Sequence, residues 1–210
     1  MRKLAIALFV LLPVSIAAAG TPPEGVPLKV RRGFFTETDI GGFLTLGGAD
    51  GYSNLQVYLQ LGVGYDITEN IEIGLHVGIG SNAANCHASR SNPQQICRNT
   101  SGTDASDNFT LTFLDLSFAY LFKVAERLYV APKVMAGWTF LDPAPVENNA
   151  GNPVSSAFNA GIAIGVEYAT NVDHFTVGLD VVLGRFILAP SGSLPIMYSM
   201  QFFPRVKYTF

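Results

Sequence analysis

MYSMQFFPRVKYTF, residues Met197 to Phe210, decides how this chain is read. Taken backwards, Phe210, Tyr208, Val206, Pro204, Phe202, Met200 and Tyr198 form one set. Thr209, Lys207, Arg205, Phe203, Gln201 and Ser199 form the other. Side chains of a strand alternate with a period of two, so the segment has one apolar face and one mostly polar face.

The same alternation runs through the chain. Gly33 to Gly47 sets Ile40, Gly42, Leu44 and Leu46 against Glu37, Asp39, Gly41 and Thr45. Asn54 to Tyr65 sets Leu55, Val57, Leu59, Leu61, Val63 and Tyr65 against Gln56, Tyr58 and Gln60. Further strands are expected from Ile71, over Phe109 to Phe122, Leu128 to Leu141 and Ser155 to Tyr168, and from Phe175, which makes eight with the last. Each reaches the roughly nine to eleven residues that a tilted membrane strand needs. Connections after the second, fourth and sixth strands are short, whereas Ser81 to Asn108 and Asp142 to Val154 are long. Short turns on one side and long loops on the other are the habit of outer-membrane barrels. The expected fold is therefore all-β: an eight-stranded antiparallel up-and-down transmembrane barrel. Phe210, an aromatic end to an amphipathic strand, is expected to serve as its insertion signal.

The beginning of the sequence agrees. Arg2 and Lys3, the apolar run Leu4 to Leu12 and the small residues Ala17, Ala18 and Ala19 read as a signal peptide over residues 1–19. Residues 20–32 then form a periplasmic segment, and residues 33–210 the barrel. Charged residues make up only 14% and mean hydropathy is +0.30. Beyond the signal, no apolar run approaches the roughly 18 residues of a spanning helix. A net charge of −3 without a basic patch excludes a nucleic-acid partner. Export places Cys86 and Cys97 in an oxidising compartment, so a disulfide closing the long loop is expected. His87 alone lies near them, and a closed metal site needs about four ligands. No metal or cofactor is expected.

Eight strands leave a lumen that side chains can fill. The inward set contains the acids Glu37, Asp39, Glu72, Asp115, Glu167 and Asp180, the bases Lys133, Arg205 and Lys207, and His76. A network of ion pairs that plugs the barrel is one reading, because an unpaired buried charge costs several kcal/mol. An ion or proton path is the other. No His stands beside a Ser and a carboxylate at a hydrolase spacing in the sequence, so no catalytic residue is assigned. His87 with Asp104 or Asp107 is the best set for a lipid-modifying enzyme, the alternative function together with a small channel. Alternation places Arg185 outward, where it either snorkels to a lipid phosphate or marks a protein contact.

Val26 to Asp39, Gly41 to Gly48 and the run Tyr58 to Asp66 together resemble the CglE-type adventurous gliding motility proteins of myxobacteria. The resemblance is best in the first third and covers most of the processed chain. It implies an outer-membrane component of the machine that couples inner-membrane motors to surface adhesion, with no catalytic motif. Lipid and lipopolysaccharide are the expected surroundings. Envelope or motility-complex proteins are the expected partners, met through the extracellular loops or through Lys29 to Arg32.

Overall fold

The computed structural model describes residues 33–47, 51–52, 55–84, 108–144, 152–172, 174–188 and 197–210. The expected signal peptide over residues 1–19, the expected periplasmic segment 20–32 and both cysteines lie outside these residues. Eight long strands follow in order: β1 Phe34–Gly47, β2 Gln56–Asp66, β3 Ile71–Ala84, β4 Asn108–Tyr120, β5 Leu128–Asp142, β6 Ser156–Ala169, β7 Phe175–Leu188 and β8 Met197–Thr209. Two-residue ladders at Gly51–Tyr52 and Phe122–Lys123 extend the pairing of β1 and β5. Each long strand pairs antiparallel with its neighbour in sequence, and β1 pairs with β8 from Phe35↔Thr209 to Gly47↔Met197. The sheet is thus a closed barrel, and no helix occurs among the described residues.

Closure turns alternation into an outside and an inside. Outward positions of the strands carry Val, Leu, Ile and aromatic residues, and these are exposed: Leu116 is 62% accessible, Val134 53% and Phe202 53%. Among the described residues, Asp142 at the far end of β5 is the one charged side chain on the outward face of a long strand. Aromatic rings gather outward at the short-turn end. Phe34 meets Tyr65 at 5.1 Å between centroids, Phe175 meets Tyr208 at 5.0 Å and Tyr208 meets Phe210 at 5.1 Å. Trp138 and Phe158 pair outward on the other side, at 5.7 Å. Such rings suit the two boundaries of a bilayer.

Two ladders depart from simple alternation: β3–β4 shifts between Gly80 and Ala83, and β7 carries the shift that changes the charged set. Ile162 pairs with Gly184 but Ala163 pairs with Val182, so Leu183 is an extra residue in β7. The β7–β8 ladder shifts at the same level, between Ser199 and Gln201. A bulge of this kind re-aims the side chains that follow it. Arg185, expected to face lipid, is instead inside the barrel and 1% accessible. The expectation failed because period-two counting cannot see an inserted residue.

The belt predicts a depth-dependent penalty. Leu116→Arg, at the middle of the outward face of β4, is expected to cost about 2–4 kcal/mol in urea unfolding from lipid vesicles. Lys123→Arg, beyond the belt, is expected to leave the midpoint unchanged.

Candidate functional site

Among the described residues, the interior is the one place where polar chemistry is concentrated, and it has two tiers. The lower tier, towards the short turns, is ionic. Arg205 on β8 is at its centre: Nη2 donates to Glu167 Oε1 at 2.5 Å, and Nη1 donates to Glu37 Oε2 at 3.3 Å. Asp180 Oδ2 lies 3.4 Å from the same Nη1. Lys133 Nζ donates to Asp180 at 2.7 Å. Lys207 Nζ donates to Asp66 Oδ1 at 3.0 Å and closely to Glu72, and it sits 3.8 Å above the Phe35 ring. Asp39 Oδ2 accepts from Gln60 Nε2 at 2.7 Å. Asp115 pairs with Arg185 Nη2 at 3.1 Å.

All ten residues of the expected lumen set are buried in this interior. Their placement follows from alternation on a closed sheet, and small neighbours give them room. A Cβ at Gly62 would come within 2.6 Å of His76 Nδ1 and 2.7 Å of Glu37 Cγ. The structure adds Asp66 and Arg185 to the charged set. Asp66 is the last residue of β2, where it reads equally well as the start of a turn. Arg185 was hidden by the bulge.

His76 belongs to a relay that the sequence did not reveal. Its Nδ1 lies 2.9 Å from Glu37 Oε1, and its Nε2 lies 2.7 Å from Ser117 Oγ. The three come from β1, β3 and β4, so the contact is invisible to motif spacing. The sequence spacing, in which no His stands beside a Ser and a carboxylate, is unaffected; the contact is made across strands. The order of atoms is that of a hydrolase triad, but the surroundings are not. Glu37 is shared with Arg205. The chamber at Ser117, bounded also by His76, Asp115, Lys133 and Arg185, holds about 10 Å³, the space of one water and not of an acyl group. Backbone N–H groups of Asp115 and Ser117 lie within ladders on both sides of β4, which leaves no ready oxyanion hole. The arrangement is a row of three side chains in hydrogen-bonding contact, Glu37, His76 and Ser117.

The upper tier is apolar. Phe43, Tyr58, Phe109, Leu111, Phe113, Leu141, Ile187, Met197 and Phe203 form one buried cluster. Tyr58 packs at 5.6 Å from Phe203 and 6.1 Å from Phe113, and its hydroxyl donates to Gln60 at 2.9 Å. Sequence reading missed this tier because it sorted strand faces by their charged members. Phe43, Phe113 and Phe203 nonetheless stood on the same side as those charges. His87, Asp104, Asp107, Cys86 and Cys97 lie outside the described residues.

No known family model matches this chain, and no curated protein does. Solved structures do. Neisserial surface protein A is 12% identical with a TM-score of 0.59, over 84% of this chain and 97% of that one. Ail of Yersinia pestis is 8% identical at a TM-score of 0.48, over 86% and 100%. The outer membrane protein OprG of Pseudomonas aeruginosa is 10% identical at 0.47, over 87% and 98%. The first likeness carries the argument, and it concerns the fold: an eight-stranded barrel of the outer-membrane type.

Removing Arg205 would leave Glu37, Glu167 and Asp180 facing one another without their shared cation. Arg205→Met is expected to destabilise the barrel by about 3–5 kcal/mol, read by urea unfolding in vesicles through the single tryptophan, Trp138. Adding Glu167→Gln to that variant should restore part of the loss.

Proposed function

We propose that this chain is an integral outer-membrane protein that works as an anchor and interaction scaffold, reached by cleavage of residues 1–19. In its sharper form the scaffold serves a gliding-motility machine of the CglE type. The observation that carries the scaffold reading is the filled interior. Ionic side chains occupy the lower lumen and aromatic and aliphatic ones the upper lumen, so solute flux is not what the barrel is built for. The outward apolar belt supports residence in a bilayer. The motility assignment rests on the resemblance over Val26 to Asp39, Gly41 to Gly48 and Tyr58 to Asp66, and the relay gives no support to an acyl-transfer enzyme.

Partner contacts in this proposal fall to the loop from Ser81 to Asn108, with a Cys86–Cys97 disulfide, the loop from Asp142 to Val154, and the basic segment Lys29 to Arg32 on the periplasmic side. Phe210 is the insertion signal in this proposal, and lipid and lipopolysaccharide surround the barrel.

Deletion of residues 85–107 is expected to leave heat-modifiable, outer-membrane-localised protein that no longer captures envelope partners or supports gliding. Unaltered capture and motility would remove the loop as the working surface. In planar bilayers the intact protein should be nearly silent; steady conductance would favour a channel instead. Thiol labelling of the unfolded chain should require prior reduction.

A further inference from the structure

We propose that the chamber beside Ser117 binds one ordered water molecule, which solvates the inward-turned Arg185. The chamber lies between the two tiers and is walled by Ser117, Asp115, Lys133, Asp180, Arg185 and Ala163, among others. Its volume of about 10 Å³ fits one water.

Several polar atoms of the lining residues lack a protein partner. Arg185 Nε and Nη1, Asp115 Oδ1 and Asp180 Oδ1 are buried without a hydrogen bond from the chain. Their side chains are almost wholly buried, at 1% for Arg185, 2% for Asp115 and 3% for Asp180. Arg185 spends Nη2 on Met135 Sδ at 2.7 Å and on the ion pair with Asp115, and its guanidinium carbon lies 4.1 Å over the Phe113 ring. Native interiors rarely leave such groups unmatched.

Charge decides which ligand fits. A cation entering the chamber would meet Lys133 and Arg185. An anion would meet Asp115, Asp180 and Glu37. A neutral molecule that both donates and accepts meets both kinds of wall, and at this volume that molecule is water. The bulge at Leu183 supplies the reason for the site. It brings a guanidinium off the lipid face into a space with one close carboxylate and the Tyr58 hydroxyl, so the N–H groups that neither reaches need a small acceptor.

The test is a crystal structure of the detergent-solubilised full barrel at a resolution that shows waters, grown once with rubidium and once with bromide. The expected result is a peak within hydrogen-bonding distance of Arg185 and of Asp115 or Asp180, without anomalous signal from either ion. An empty chamber, or an anomalous rubidium or bromide peak in it, overturns the proposal. Ala163→Leu fills the chamber and should abolish the peak, whereas Ala163→Ser should keep it; a peak unchanged in Ala163→Leu also overturns it. Should Ala163→Leu fail to fold, water–protein NOEs to the chamber side chains in the unmutated barrel decide, with their absence counting against the site.

Discussion

Hydrocarbon offers no partner to a peptide group, and this constraint organises the whole molecule. The answer is the seam between β1 and β8, which leaves the sheet without an edge. At the lower end of the seam the Phe210 N–H donates to the Phe34 carbonyl at 2.8 Å. Gly33 sits there with φ of 153°, where a Cβ would come within 2.9 Å of the Phe210 carbonyl oxygen. Closure then removes every intermediate environment. A side chain on a strand faces lipid or it faces its counterparts across a narrow lumen.

That lumen is settled by two different kinds of packing. In the lower half, carboxylates outnumber cations: Glu37, Asp39, Asp66, Glu72, Asp115, Glu167 and Asp180 against Lys133, Arg185, Arg205 and Lys207. The cations are shared, and Arg205 alone faces carboxylates from β1, β3, β6 and β7. This ties strands together across the barrel and not only along its wall. In the upper half, interlocked rings do the same by exclusion of water. Buried ion pairs are poor stabilisers compared with apolar packing, but breaking one is costly. The lower tier therefore acts more through the penalty on misplacement than through net attraction.

Much of this was legible in the sequence, for a physical reason. A period-two pattern over long strands, sorted connections and an apolar composition without a spanning helix leave few folds open, and the structural likeness to Neisserial surface protein A agrees with the one expected. The inward members followed from the same parity. Three things did not. The Glu37–His76–Ser117 relay joins residues from three strands, and only the register of β1 with β2, β2 with β3 and β3 with β4 makes them neighbours. The aromatic tier was masked because a Phe on a mostly polar face looks like an exception. Arg185 was misplaced because a bulge inserts one residue without any change in composition.

That bulge inverts the parity of β7 partway up. As far as Leu183, odd-numbered residues look outward; beyond it, odd-numbered Arg185 and Ile187 look inward. The strand thus carries two phases of one code, joined at a single residue. A substitution scan scored as one uninterrupted repeat would assign Arg185 and Ile187 to the wrong solvent, and tolerance at these sites has to be judged against the lumen rather than the lipid.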